Sequence, residues 1–486
     1  MSNENDCLIE NSKHAPDFSS KLVITALYQC TGTLLTADVG NVRDLYAQLD
    51  YSENVIPSFT TDWDKSLTMC PIYVTAEGDL NVQKYYENPE DAMTLRNIDE
   101  LILKSFIHPV HICTGKGWNI GPLAAYIRNR TEELAVMLDI HERMENGVLR
   151  SLAHPEMPVT IFISPDNGGF SVELMSLTPL VYKPIPLQAW EQMVVCAELL
   201  DRSTTLERKR TIAKRVHSHT IYEATADPFA LAEYPYETNV IHNIDKKPIT
   251  NDNLFREIAP LWTKDESNHL HRIQEALGHI GVFSTLGTKI NFVLDVEKII
   301  HDNSAGGLRE SWKSATGIDI IDLESFKLAV GILTKDWHAT VRFNEAHGIL
   351  FLDVMAPDVH KGHSARWMKK FVQYNIEQAY RKISKKIKVL TFTMADGVFE
   401  GSTDKPIIDR TRSVVVRDAD KDRPERTIKG YPIYLCDIYR TSPMKQTYSY
   451  LRESTLLSCP PEHRKSMTNV MHELDVYHTN NIQRAQ

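Results

Sequence analysis

No Cys-x-x-Cys pair occurs in this chain of 486 residues, which excludes zinc ribbons and redox dithiols together. The seven cysteines, Cys7, Cys30, Cys70, Cys113, Cys196, Cys436 and Cys459, are odd in number and widely scattered. With no close-spaced framework they read as reduced thiols of a cytosolic compartment. An excess of positive charge is missing as well. The formal net charge of −10 is spread along the chain and argues against sequence-independent binding to nucleic acid, which needs a basic face to displace counterions. No run approaches the roughly eighteen apolar residues of a membrane span. The opening MSNENDCLIENSKHAPDFSS has no apolar core of a secretory signal, so residues 1–20 read as a disordered leader. Repeats of solenoid period and low-complexity tracts are also lacking.

What is present is the composition of a folded protein, 42% hydrophobic and 24% charged. The length suggests two to four domains. Residues 21–223 mix strand-like runs (KLVITALY, CPIYVTAEG, PVTIFISP, GGFSVELMSL) with helical ones, an N-terminal α/β region. The clearest helix starts near Asn129 and carries Leu134, Met137, Leu138 and Ile140 on one side. A second runs through LQAWEQMVVCAELLDRSTTLERKRTIAKRV. Prolines and polar clusters make residues 224–253 the linker. Residues 254–486 then read as an α+β domain with a mixed sheet. In order they offer the helix DLESFKLAVGIL, a hairpin, a helix from about Ser364, the strand KVLTFTM, a charged insertion from Asp396 to Lys429, and the strand-like YPIYLCDIY.

The hairpin is WHATVRFNEAHGILFLDVMAPD, residues 337–358. Alternation puts Trp337, Ala339, Val341 and Phe343 on one face and His338, Thr340 and Arg342 on the other. If Asn344 to His347 form a four-residue loop, Phe343 pairs with Gly348 and His338 lies across from Asp353. Directly opposed Cβ atoms stand roughly 4.5–5.5 Å apart, within reach of an imidazole–carboxylate hydrogen bond. Such a pair frees the second ring nitrogen to take a proton from a thiol or hydroxyl. Its plainer reading is a cross-strand polar pair that stabilises a sheet.

A strand opening with His, a turn, a strand closing with Asp, an amphipathic helix and another strand resemble the core of Ulp-like clan cysteine enzymes, including the YopJ-type bacterial effectors. The resemblance covers about sixty residues, His338 to Met394, and implies a papain-like domain. It also implies a Cys–His–Asp/Glu triad that cleaves proteins, or transfers acetyl groups from acetyl-CoA with an inositol polyphosphate as activator. His338 would be the base and Asp353 the orienting acid. Where the family has its nucleophile, this chain has MADGVFEGSTDKP, without a cysteine. The next thiol is Cys436, activated if it begins a helix, or a buried structural thiol in an alternating strand. The hairpin is also similar to that of transglutaminase-like and YopT-type enzymes, whose Cys lies upstream. There Cys196 sits in an apolar helix and Cys113 among glycines.

Other segments are weaker. GKGWNIG, residues 115–121, fails the Walker and GxGxxG patterns and reads as a turn before a helix whose amides offer an anion site. His108, His111 and Cys113 have metal-ligand side chains but no fourth partner nearby. The run RKISKKIK, with Lys382, Lys385 and Lys386, is either a solvated helix end or a site for a polyphosphate or the coenzyme A phosphates. The expectation is cysteine-dependent acyl transfer on a protein substrate by a cytoplasmic protein, or one delivered into a host cytosol. The alternative is a non-catalytic interaction or structural protein, such as a degenerate effector or a viral shell component.

Overall fold

The computed structural model describes residues 55–204 and 281–486, apart from short segments within them, together with 257–258 and Leu277. The expected leader, the expected linker, KLVITALY, and Lys382, Lys385 and Lys386 lie outside the described residues.

The strands of the first half are β1 (Val55–Asp62), β2 (Val110–Cys113), the short ribbon β3 (Met144–Glu145) and β4 (Val148–Leu149), β5 (Ile161–Ser164), β6 (Phe170–Glu173) and β7 (Thr178–Tyr182). After them come β8 (Glu257–Ile258), β9 (Gly281–Phe283), β10 (Lys289–Val293), β11 (Thr340–Ala346) and β12 (Ile349–Met355). The last three are β13 (Lys388–Ala395), β14 (Arg412–Val415) and β15 (Ile433–Tyr434). One nine-stranded sheet has the order β15-β14-β13-β1-β2-β5-β6-β7-β8. It is parallel from β15 to β5 and antiparallel through β6 and β7. The α+β expectation therefore holds in its coarse form, a mixed fold with a large mixed sheet. The expected boundary does not follow that sheet, because β13, β14 and β15 complete it from the far side of residues 224–253. Within 254–486 the hairpin strands join β9 and β10 in a separate four-stranded sheet while β13, β14 and β15 join the main one, so that stretch does not form the single mixed sheet expected of a papain-like domain.

Helices cover both faces of the sheet. They are α1 (Val82–Tyr86), α2 (Pro89–Ser105), α3 (Gly121–Met137), α4 (Leu187–Val195), α5 (Ala197–Arg202), α6 (Val296–His301) and α7 (Leu308–Thr316). The rest are α8 (Leu323–Leu333), α9 (Lys361–Ala379), α10 (Lys405–Ile408), α11 (Leu435–Tyr439), α12 (Pro443–Ser458) and α13 (Pro461–Ala485). Asn88 caps α2 by accepting from the Glu90 amide, and Pro89 opens it. On that face Phe59, Ile112, Ile163 and Met394 pack with Leu101 and Leu451 of α2 and α12. On the other, Met368, Val372 and Ile376 of α9 cover Ile56, Phe162 and Val389. The helix expected from Asn129 starts eight residues earlier, at Gly121, and ends at Met137. CPIYVTAEG contributes an isolated bridge at Val74 instead of a strand. No helix among the described residues is long and apolar enough to cross a membrane.

Beneath α9 the sheet carries a buried polar ladder. Ser58 pairs with Thr391 at 3.0 Å, Thr60 with His111 Nδ1 at 3.4 Å, and His111 Nε2 with Ser164 at 2.8 Å, which meets Ser171 at 2.6 Å. Burial pushes the His111 imidazole down to about 3. Between that value and the ordinary 6.5 the unfolded chain holds a proton the folded chain refuses, so stability falls as pH drops through this window. Replacing His111 by Gln is expected to flatten the pH dependence of unfolding free energy between pH 4 and 6 by about 1.4 kcal/mol per pH unit. Urea titrations of both proteins across that range check it; parallel curves would show that His111 contributes nothing.

A second layer is built from the four-stranded sheet β11-β12-β10-β9. Its apolar face (Ile290, Phe292, Leu352, Val354) packs on Trp190, Trp312 and Phe326 from α4, α7 and α8. This layer caps the carboxyl ends of the main strands.

Candidate active site

The central strand β1 has β2 on one side and β13 on the other. The chain leaves it in one direction early and returns on the opposite flank some 300 residues later, so a crevice opens where the strand order reverses. Alternation places Ile56, Ser58, Thr60 and Asp62 on the α9 face, so the last side chain of β1 meets the N-terminus of α9. There Lys361 Nζ donates to Asp62 Oδ1 at 2.6 Å and to Asp404 Oδ1 at 2.5 Å, with all three side chains buried. Asp396 follows β13 directly, and carboxylate oxygens of Asp62, Asp396 and Asp404 lie within 4.8 Å of one another.

Close backbone approach makes the meeting of Lys361 and Asp404 possible. A Cβ on Gly362 would sit 2.5 Å from the Pro406 carbonyl oxygen, at the start of α10. Only glycine lets α9 and α10 come this near. The Asp404 carboxylate is fixed further by the Gly397 amide, which donates to Oδ2 at 3.2 Å.

Electrostatically the cluster is over-supplied with negative charge. Burial, then the Asp404 carboxylate, pushes Asp62 well above the usual carboxylate range, against the pull of Lys361. Burial and Asp404 likewise push Asp396 up to about 7. Burial alone would lower Lys361, yet Asp404 and Asp62 carry it well above the ordinary ammonium value. Three carboxylates thus outnumber the ammonium groups that act on them, Lys361 within the cluster and Lys65 on Asp396. Oxygen-only donors, two of them buried, form the set that hard divalent cations take, and a cation there would remove the repulsion that makes Asp62 and Asp396 hold protons. The residues fit such an ion.

Two loops complete the crevice. After β2, Thr114 accepts from the Lys116 amide at 3.0 Å, and Lys116 Nζ pairs with Asp64 at 2.9 Å. After β5, Asp166, Asn167 and Gly168 take φ of 52°, 56° and 92° in succession. Two adjacent non-glycine residues in the left-handed region are strained, a state that persists only where surroundings enforce it. The enforcing contacts are the Asp166 and Asn167 amides, which donate to the Lys116 and Thr114 carbonyls at 2.7 and 2.8 Å. This turn buttresses the Thr114 loop. The anion-site reading of GKGWNIG thus falls, in its first two residues, beside Asp64.

The residues expected to form a triad are not brought together. The hairpin pairs Ala346 with Ile349, a loop of two residues instead of four, so Arg342 and not His338 lies across from Asp353. His338 is exposed, at φ 49°, ahead of the strand. Cys436 is not in a strand but in the short helix α11, buried among Ala395, Ile408, Val415 and Tyr434. Pro443 opens α12. Cys113 is fully buried, its thiol pushed up to about 12 by burial, with Sγ 3.3 Å from Ser364 Oγ. His111 and Cys113 thus have separate partners. Cys196 caps α5.

No family model matches the chain, and no curated protein matches it by sequence. Among solved structures it is similar to a haloacid dehalogenase-like hydrolase from Bacteroides thetaiotaomicron, at 12% identity and TM-score 0.27, over 74% of this chain and 88% of that one. It is also similar to N-terminally truncated Plasmodium falciparum IMP-nucleotidase, at 13% identity and TM-score 0.27, over 93% and 87% of the two chains. The longer form of that nucleotidase matches at 12% identity and TM-score 0.28, over 93% and 78%. These are not YopJ-type or Ulp-like cysteine enzymes. The resemblance drawn from the hairpin is corrected on the geometry above, where His338 does not face Asp353 and Cys436 is buried in a separate apolar cluster, and with it cysteine-dependent acyl transfer and the effector reading.

The sequence reading missed Asp62, Asp64, Lys361, Asp396 and Asp404. A signal was available: the strand VIPSFTTD runs on into Asp62-Trp63-Asp64, and MADGVFEGSTD, at the end of another strand, carries three acids, Asp396, Glu400 and Asp404.

Proposed function

We propose that this chain hydrolyses phosphate monoesters with a divalent cation, and that Asp62 is the group that attacks phosphorus. The observation that carries this reading is the position of Asp62. It is a buried carboxylate at the carboxyl end of the central parallel strand, bonded to a buried ammonium and flanked by two more carboxylates. A cation site alone has no use for Lys361, whereas a site for a phosphoryl dianion needs positive charge on both sides of the transferred group.

In the first step an Asp62 carboxylate oxygen bonds to phosphorus, and the ester P–O bond breaks with its electron pair on the leaving alcohol oxygen. Asp64, two residues on and half-exposed beside Lys116, is placed to protonate that oxygen. Water then attacks phosphorus, its proton passing to Asp64, and the bond to Asp62 breaks to release phosphate and restore the carboxylate. Lys361 orients Asp62 and neutralises the transferred group, with the Thr114 hydroxyl as a further donor. A divalent cation held by Asp62, Asp396 and Asp404 would supply charge stabilisation at the phosphoryl oxygens. The burial of Asp62 suits a small ester better than a protein side chain.

The test is phosphate release from p-nitrophenyl phosphate by EDTA-treated protein, with and without MgCl2, alongside thermal melts. Release is expected only with MgCl2. The melting rise on adding it is expected to be larger at pH 8 than at pH 5. Asp396 binds its proton more tightly folded than unfolded, so between about pH 4 and 7 the cluster costs stability as pH rises, and the cation removes that cost. No release at all, or release that EDTA leaves untouched, overturns the reading.

A further inference from the structure

The face of the capping sheet turned away from its apolar core is polar. The registers Lys289↔Met355 and Asn291↔Asp353 on one side, and Thr340↔Met355 and Arg342↔Asp353 on the other, put these side chains on one surface. That surface bears on the active-site loops. Lys289 Nζ donates to the Gly115 carbonyl, next to Thr114, and Thr288 Oγ1 donates to Asp166 at 2.5 Å. Asn167, in the strained turn, points its Nδ2 at Met355 Sδ, 3.5 Å away.

Two acceptors on this seam lack a protein hydrogen bond. Asp353 is fully buried, with Oδ1 held by Asn291 Nδ2, while Oδ2 accepts no hydrogen bond and has the Lys289 ammonium 3.6 Å away. Asn167 is 2% exposed and its Oδ1 accepts none. The Asp353 oxygen has its charge balanced by Lys289 but no hydrogen bond, and the Asn167 amide oxygen has none either, so each costs folding free energy. Both lie where core and cap meet: a Cβ added to Gly115 would stand 3.2 Å from Asn167 Oδ1, and Lys289, the ion-pair partner of Asp353, donates to the Gly115 carbonyl.

We infer that Asp353 and Asn167 are specificity-determining residues that take hydrogen bonds from the alcohol portion of the substrate, one from the cap and one from the core. This rests on the phosphohydrolase reading and adds the substrate class to it. The ester's alcohol is polar and carries O–H or N–H donors on the side away from phosphorus. An alcohol without donors leaves both acceptors unsatisfied in the closed site, and sites built to hydrogen-bond a donor discriminate strongly against analogues that lack it.

The test compares kcat/KM for glucose 6-phosphate and uridine 5′-monophosphate, whose alcohols carry donors, with that for p-nitrophenyl phosphate, whose alcohol has none. The variants are Asp353→Asn, which replaces one acceptor by a donor at constant shape, and Asn167→Gly, which removes the other and relaxes the turn. In each variant the ratio of kcat/KM for the better donor-bearing ester to that for p-nitrophenyl phosphate is expected to fall at least tenfold. A melting curve and the KM–kcat split are read on the same samples, the loss being expected in KM. Ratios unchanged in both variants, with wild-type protein active, overturn the specificity inference and leave the phosphohydrolase reading standing. Wild-type protein inactive on all three esters overturns both.

Discussion

Asparagine in place of Asp62 is expected to lower kcat/KM for p-nitrophenyl phosphate by at least about 10³-fold, the scale on which removal of a covalent nucleophile acts. The amide keeps the shape of the side chain and still accepts from Lys361, yet it is a poor nucleophile. The fold has little reason to suffer: Asp62 is a carboxylate that burial and Asp404 already disfavour in its charged form. Melting temperature should therefore hold or rise while activity is lost. Trapping offers a second readout. Beryllofluoride with MgCl2, a mimic of the phosphorylated carboxylate, should raise the melting temperature of the wild-type protein and leave the variant unmoved. A variant that turns over within tenfold of wild type would remove Asp62 from the chemistry.

Lys361→Met carries the largest expected cost to the fold. Its ammonium is 3% exposed and bonds two buried carboxylates. Taking one partner from a buried ion cluster typically costs about 3–5 kcal/mol, because the remaining charges stay buried without compensation. The sign of the pH dependence follows from the same carboxylates. Without Lys361, Asp62 loses its one pull downward and holds its proton still more tightly when folded. The folded state of the variant thus binds protons that the unfolded chain releases above about pH 4, so its deficit should widen as pH rises from 4 toward 8. MgCl2 should recover part of the loss at pH 8, and denaturant titrations at both values with and without the cation check it. A deficit independent of pH would mean that Lys361 acts through packing alone.

The hairpin shows what sequence alone can yield. The apolar side of Trp337, Ala339, Val341 and Phe343 does pack into a core, and Thr340, Arg342 and Asp353 do share the opposite surface. The turn is centred two residues further along the chain than a bend over 344–347 would be, which moves each partner by four positions. An even displacement preserves the face and changes only the neighbour, so the surface was legible and the pair was not. DLESFKLAVGIL and KVLTFTM likewise appear where their periodicity puts them, as α8 and β13.

The catalytic cluster resisted for a different reason. Asp62, Lys361, Asp396 and Asp404 are each commonplace at a strand end or a helix start, and the acids clustered after two strands are the local mark they leave. They become a site only through the pairing of β1 with β13, a contact between Val55–Asp62 and Lys388–Ala395. MADGVFEGSTDKP has no cysteine sulfur but three acids, so it is silent for a thiol mechanism and informative only for a carboxylate one. Cys436 reads as helix or strand with equal ease, since a two-residue strand hands over to a five-residue helix within YPIYLCDIY.

The pairing of the first strand with the thirteenth also sets a timetable. During synthesis from the amino end, Asp62 emerges early, its eventual ammonium partner about three hundred residues later, and Asp404 later still. Contacts so remote in sequence are slow to close. The nascent chain can therefore fold helices and hairpins while the cluster is still unassembled, and Asp62, Lys361 and Asp404 meet only once β13 docks on β1.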